Sequence, residues 1–484
     1  MIHSNISGQR TSERLFEGID PVAILLYVAI VVVGCVCITS ASFDVESTDF
    51  FDSSHFYVKQ YMWAGIAVVA AVVVLLTESS LYHKYSFVLY VLGVLSLICA
   101  LLFGREVNGA KSWFEVGGFR LQPVELVKIS TSLILARVMS ELNFSITDLR
   151  SLSRVAGVVL LPLAVIMLQN DTGSGIVFGS YLFVLYREGL DRWLCLPLLL
   201  IAALFILSFL LSPLVLLLMS LTMCVVSNAM MYGMWSLHLR YVAIVMLSAI
   251  LLSVGWWMLS GEFLSYYISL LITTLVSLPI IIMYAFRKAF ARTFVLAGFY
   301  LSSMVFLPTS DYIFNYILRD HQRNRIMSFL GIVDDPLGID YNVNQSKIAI
   351  GSGGMWGKGF LNGTQIRFGF VPERHTDFIF CDLAEEWGFV GAFVLLALIM
   401  ALILKLMQMG ERQVEAFGRI YCYCVASILL FHTLVNVGMT IGLMPVMGIP
   451  LPMVSYGGSS LVAFTIMIFI AFRLDASASS LKSY

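Results

Sequence analysis

RDHQRNRIMSFLGIVDDPLGIDYNVNQSKIAIGSGGMWGKGFLNGTQIRFGFVPERHTDFIF, from Arg319 to Phe380, is a polar and glycine-rich stretch in an otherwise strongly apolar chain. Nine of the 36 glycines fall between Gly331 and Gly369, which argues for tight turns and close backbone approach rather than long helix. Arg, Lys, Asp, Asn, Gln, His and Ser surround them, the side chains that bind and process polar ligands. Apolar runs of membrane-spanning length lie on both sides. The stretch therefore reads as a large polar loop held between membrane spans, and it is where chemistry is expected.

Working outward, 59% of the 484 residues are hydrophobic and only 12% are charged, too little charge to cover a soluble surface. The net charge of −1 and the absence of a basic block give no support to nucleic-acid binding. The eight cysteines lie mostly inside apolar runs, and Cys422 and Cys424 face different sides of a helix, so packing is expected rather than metal ligation or disulfides. The polar first twenty residues lack a small-residue cleavage site, and the first apolar run is expected to be a retained membrane helix.

About twenty apolar residues span the hydrocarbon. On that measure the sequence predicts about fourteen spans: six near 22–42, 59–77, 85–104, 123–141, 155–170 and 173–187; five near 192–211, 213–235, 240–259, 264–286 and 292–314; and three near 386–408, 418–441 and 457–473. Short basic connections at Arg187–Arg192, His238–Arg240 and Phe286–Arg292 read as cytoplasmic. The Asp44–Asp52 loop and the Glu262 turn read as external. Both termini are then cytoplasmic and the polar island faces outward.

Three further polar patches interrupt membrane-length segments: NGAKSWFEVGGFRLQPVELVK (Asn108–Lys128), QNDTGSG (Gln169–Gly175) and GLMPVMGIPLPMVSYGGSSL (Gly442–Leu461). The same topology places all three on the outer face with the island. Four elements distant in sequence then share one face, which suggests one site at the membrane boundary.

These four segments resemble the signature regions of the SEDS family (shape, elongation, division and sporulation) of polytopic bacterial peptidoglycan glycosyltransferases. The likeness spans the chain apart from about 192–290. Gln345–Phe360, Gly363–Gln365 and Pro372–Phe380 are more similar to the elongation branch than to the division branch. Val124 stands where the family usually has Ser, and Asn170 where it usually has Pro. The resemblance implies an all-α membrane enzyme with a ten-helix core, to which roughly four inserted helices at 192–290 add a peripheral layer or a partner surface. It implies lipid II as substrate and a class B penicillin-binding protein transpeptidase as partner, within the elongation machinery of the bacterial cytoplasmic (inner) membrane.

In that reaction an acceptor sugar hydroxyl loses a proton as it attacks an anomeric carbon carried on polyprenyl pyrophosphate, and a carboxylate suits the role of general base. Asp377 matches the family's catalytic Asp; read without the resemblance, it reads sooner as a cap for the helix ahead of Asp382, Glu385 and Glu386 than as a catalytic group. The leaving pyrophosphate needs positive charge, for which Lys111, Arg120, Lys128, Arg323, Arg325, Lys358 and Arg374 are candidates. Glu125 and Lys128, three apart on one helix face, can pair within the membrane, either structurally or toward the substrate. Asp171, at a helix break, is a candidate to orient Lys128 or to coordinate a divalent cation, and equally a hydrogen-bonding residue between helices. Trp113 is placed to stack on a sugar or to anchor at the interface. His375, beside Arg374, is a candidate for binding rather than for proton abstraction. The GSGG run at Gly351–Gly354 and the Asp334–Pro336 turn read as structural. A lipid-linked sugar flippase or transporter, a noncatalytic scaffold and the division-type paralogue remain as alternative readings.

Overall fold

The computed structural model describes residues 18–43, 55–107, 109–116, 119–191, 211–288, 290–312, 320–332 and 341–482, with single residues or pairs at 200, 203–204, 207–208, 314, 316 and 318. The Asp44–Asp52 loop and the Asp334–Pro336 turn lie outside the described residues. Two compact units share the chain. One comprises residues 1–189 and 335–484, the other residues 190–334.

The first unit opens with α1 (Pro21–Ser42), capped by Asp20, which accepts the Val22 N–H at 3.1 Å and is followed by Pro21 in the first turn. Then come α2 (Phe56–Leu76) and α3 (Ser79–Phe103). The first polar patch is a small antiparallel meander of β1 (Arg105–Val107), β2 (Ala110–Val116) and β3 (Phe119–Leu121). In the sequence, Asn-Gly and Gly-Gly dipeptides fall between the strands, a composition that hairpin connections prefer. The strands lead into α4 (Pro123–Met139) and α5 (Leu149–Leu168). The expected span at 173–187 is segmented into α6 (Thr172–Val177), a short 3₁₀ turn and α7 (Tyr181–Arg187).

In the second unit lie α8 (Pro213–Tyr232), α9 (Trp235–Ser260), α10 (Tyr266–Arg287), α11 (Ala291–Tyr312) and α12 (Asp320–Phe329). Pro213 opens α8 rather than kinking a longer helix. Gly233 and Gly261 end α8 and α9 in the left-handed conformation. Leu217, Leu221, Val245, Leu270, Phe299, Tyr300 and Met304 form its core. The unit is larger than the expected 192–290 insertion, because Phe299, Tyr300 and Met304 of α11 pack into that same core.

The chain returns to the first unit with α13 (Tyr341–Gly353) and the short α14 (Thr364–Arg367), followed by α15 (Ile379–Arg412), α16 (Ala416–Thr440) and α17 (Gly458–Lys482). Within the apolar stretches of α16 and α17, 78% and 83% of residues are buried, against 22–33% in α1, α2, α3 and α5. The last two helices, with α4 packed against both, therefore form the centre of this unit, and the less buried helices turn apolar faces outward, as lipid contact requires.

Among the described residues ten helices are long and apolar enough to cross a membrane, and the chain is an all-α, multi-pass membrane protein with one small sheet. Of the four remaining expected spans, 123–141 is α4, whose 17 residues include Glu125 and Lys128. The span at 173–187 is the segmented helix, that at 292–314 has its apolar part confined to Arg292–Leu307, and most of that at 192–211 lies outside the described residues.

Candidate functional site

Asp377 closes a tight turn that feeds α15. Glu373 sits at φ 51°, so its carbonyl accepts from Thr376 N at 3.1 Å and Phe378 N at 3.3 Å, while its carboxylate accepts from Thr376 Oγ1 at 2.9 Å. The residue at the cap position of α15 is Phe378, with no side-chain capping bond. The cap position of α15 thus falls one residue beyond Asp377. Its side chain is half-buried, and Oδ2 lies beside Gly448, where an added Cβ would stand 3.5 Å away.

Three elements hold this turn. Asn436 of α16 donates Nδ2 to the Asp377 carbonyl at 2.9 Å and to the Ile449 carbonyl at 2.8 Å. Tyr456 donates its N–H to the His375 carbonyl at 2.8 Å. The His375 ring stacks on Phe56 of α2, centroids 4.2 Å apart. The 442–456 connection therefore grips the turn at two points. Burial pulls the Arg374 guanidinium below its ordinary value, against the opposing pull of the Asp382 carboxylate. Burial likewise lowers the His375 imidazole, with Glu373 opposing and Arg374 reinforcing.

One turn from Asn436 on the same face of α16 lies His432, part of a buried cluster. Lys128 Nζ is 2.9 Å from both Glu125 oxygens and 3.0 Å from His432 Nε2. The Phe464 ring lies 5.0 Å from Nζ. A charged amine offers only hydrogens, so His432 accepts at Nε2 and donates from Nδ1 to the Pro450 carbonyl at 3.2 Å. Both Lys128 and Glu125 are almost fully buried. The expected Glu125–Lys128 pair is present, completed by a histidine that was not among the sequence candidates. Asn436 was missed likewise. A lone polar residue inside an apolar span is a functional signal in itself, and applied to α16 that rule points to both.

Lys358 is committed elsewhere. The α15 backbone breaks at Gly388 (φ 65°, ψ −165°), and residues 354–359 fill the break. Lys358 N and Gly359 N donate to the Glu385 and Glu386 carbonyls at 3.1 and 2.9 Å, while Phe389 N and Val390 N donate to the Gly354 and Met355 carbonyls at 2.9 and 3.2 Å. The glycines are needed for this approach. A Cβ at Gly353 would overlap the Ala384 carbonyl, and one at Gly357 the Glu386 carbonyl. Beneath, the fully buried Glu385 accepts from Lys358 Nζ at 2.6 Å, Thr364 Oγ1 at 3.1 Å and Gln365 N at 3.0 Å. The Gly351–Gly354 run is accordingly a packing element, in keeping with its structural reading.

Asp171 caps α6, accepting from Ser174 N at 3.0 Å, Ser174 Oγ at 2.9 Å and Gln122 Nε2 at 2.9 Å. Its expected role in orienting Lys128 does not appear among these contacts, since Lys128 is held by Glu125 and His432. The groups around Asp171 point hydrogens at its carboxylate, a donor set that does not suit a divalent cation. Among the described residues no three His, Cys, Asp or Glu side chains gather at metal-ligand spacing. The meander is tied to this corner by Lys111 N, which donates to the Gln169 carbonyl at 3.1 Å. The Lys111 and Arg120 side chains are exposed and Trp113 is half-buried. Arg120 lies 3.9 Å from the Glu115 carboxylate. Arg323 and Arg325 lie on α12 of the second unit.

The FtsW/RodA/SpoVE family model, described as cell cycle protein, matches residues 21–223 and 215–480. Peptidoglycan glycosyltransferase MrdB of Escherichia coli (strain K12) is 29% identical over 92% of this chain and 90% of its own length. Peptidoglycan glycosyltransferase RodA of Treponema pallidum (strain Nichols) is 32% identical over 96% of this chain and 98% of its own. A chain from a solved peptidoglycan synthase complex, described as coordinating polymerization and crosslinking, has the same fold, with a TM-score of 0.57 at 22% identity over 95% of this chain and 98% of its own. With nearly its whole length matched, the chain belongs to the FtsW/RodA/SpoVE family, the SEDS family.

Proposed function

We infer that the chain is a peptidoglycan glycosyltransferase that polymerises lipid II into glycan strands during cell elongation, with Asp377 as general base. The observation that carries the assignment of the base is the turn itself. Its carboxylate stands at the entry to α15 with Oδ2 beside Gly448, and its main chain is fixed by Asn436. The fixed backbone limits the positions the carboxylate can take, which favours proton transfer over a defined distance. As the acceptor hydroxyl attacks the anomeric carbon, Asp377 takes its proton and the bond to the polyprenyl pyrophosphate breaks. Arg374, Lys111 and Arg120 are the cations we assign to the departing charge. Lys128, buried with Glu125 and His432, supports the floor of the site one helical turn below.

The relatives named MrdB and RodA support the elongation reading. A class B penicillin-binding protein transpeptidase is the proposed partner, in line with the complex from which the structural neighbour comes. We place the chain in the bacterial cytoplasmic membrane, both termini inside and the Asp377 turn outside.

Purified protein supplied with labelled lipid II in detergent, with and without the transpeptidase, tests this reading. Glycan polymer is the expected product. Transfer of lipid II across vesicle membranes with no polymer would establish a flippase instead. Depletion in cells is expected to give rounding; undivided filaments would assign the division role.

A further inference from the structure

The second unit contains a cavity of about 250 Å³ that the glycosyl-transfer chemistry does not use. It lies at the end of the bundle where α8 stops, α9 starts, α10 stops and α11 starts. Cys224, Tyr241, Leu278, Ala285, Ala297 and Tyr300 line its interior, and Ala285, Ala297 and Tyr300 are buried. Leu237, Ile280 and Tyr284 also line it yet are exposed, so the cavity opens on the outer face of the bundle, toward lipid.

The few polar groups at its mouth are already satisfied. Asn228 Nδ2 donates to His238 Nε2 at 2.9 Å, His238 Nδ1 donates to the Met234 carbonyl at 2.7 Å, and Thr293 Oγ1 donates to Asn228 Oδ1 at 2.9 Å. What remains is an apolar wall interrupted by the buried Tyr300 hydroxyl, which has no hydrogen-bond partner, and its apolar extent suits a hydrocarbon chain. At about 30 Å³ per water-sized group, it takes a segment of roughly eight methylene-sized units.

The charge beside the mouth selects the headgroup. Arg240 follows Leu237 by three positions on α9 and Arg287 follows Tyr284 by three on α10, so each shares a helix face with a residue of the mouth. Lys288 comes next, and all three are exposed. The only acidic residue between positions 192 and 292 is Glu262, beyond the far end of α9, whose Arg240–Ser260 stretch rises about 30 Å at 1.5 Å per residue.

We propose that this cavity binds one acyl chain of an anionic glycerophospholipid, whose phosphate is held by Arg240, Arg287 and Lys288. The test uses the full chain reconstituted in bilayers of equal parts phosphatidylcholine and phosphatidylglycerol, then released for native mass spectrometry. One retained phosphatidylglycerol per chain is expected, at least fivefold favoured over phosphatidylcholine. Ala297→Phe, which fills the cavity, is expected to abolish retention. The surface variant Arg240→Gln/Arg287→Gln/Lys288→Gln, which leaves the core untouched, is expected to remove the preference while keeping the fold. Equal retention of both lipids by the unmodified chain, or an undiminished phosphatidylglycerol preference in the triple variant, would overturn the proposal.

Discussion

Asn436 Nδ2 donates to the Asp377 carbonyl at 2.9 Å and to the Ile449 carbonyl at 2.8 Å, which couples the proposed base to the 442–456 connection through one side chain. One turn earlier on the same helix, His432 holds the neighbouring Pro450 carbonyl and the Lys128 amine. A single face of α16 thus carries both the Asp377 turn and the buried cation beneath it.

Asn436→Ala removes the donor from two carbonyls at once. At about 1–3 kcal/mol for each buried group left unsatisfied, a measurable drop in thermal stability is expected, with a fall in kcat larger than any change in KM. Unchanged kcat in a folded Asn436→Ala protein would show that the Asp377 turn keeps its position without this bond.

Glu125→Gln leaves the buried Lys128 charge uncompensated, with a neutral amide and a neutral histidine as its hydrogen-bond partners. Breaking such a pair costs on the order of 3–5 kcal/mol, and the melting temperature is expected to fall. Adding Lys128→Met to it removes the stranded charge and is expected to restore stability. If the pair is structural, activity returns with stability; if Lys128 serves the substrate, the double variant is stable and inactive.

His375 gives the fold a pH dependence with a definite sign. Burial lowers its folded pKa from the ordinary 6.5, so the unfolded chain binds the proton more readily. Stability is therefore full above about pH 6.5 and declines as pH falls from there toward the folded value. His375→Phe keeps a ring against Phe56 and is expected to flatten that part of the melting-temperature profile. A profile between pH 7 and 5 identical to that of the unmodified chain would contradict it.

The glycines of the island separate into required and tolerant positions. Gly357 sits at φ 78° and a Cβ there meets the Glu386 backbone, whereas Gly351 is helical and exposed with nothing within 4 Å. Gly357→Ala is expected to destabilise by at least about 1–3 kcal/mol through overpacking and strain. Gly351→Ala is expected to be neutral or to stabilise by about 0.4–1 kcal/mol. Thermal melts of the two variants, compared side by side, decide it.

Much of this was legible in the sequence, for physical reasons that differ by residue. Apolar runs of spanning length announced the helices, and the three-residue spacing of Glu125 and Lys128 announced their pair. What hid was whatever depends on contacts between elements. Lys358 read as a cation for the substrate because nothing local showed that a break at Gly388, thirty positions on, would bring Glu385 beneath it. His432 and Asn436 were not singled out in an apolar run, since their partners, Lys128, Asp377 and two carbonyls of the 442–456 connection, meet them only in the folded chain. The meander at 105–121 was overshadowed by the helices around it, although its Asn-Gly and Gly-Gly dipeptides carry a hairpin signal.

The most direct test of the central claim is the initial rate of glycan polymerisation from purified lipid II by Asp377→Asn, measured beside the unmodified chain. The substitution keeps the size of the side chain and leaves the main-chain bond to Asn436 in place, but the amide takes no proton at neutral pH. With melting temperature unchanged, the account predicts a rate lower by roughly 10²-fold or more, the typical contribution of a positioned base. A folded Asp377→Asn enzyme that polymerises at a near-normal rate would contradict it.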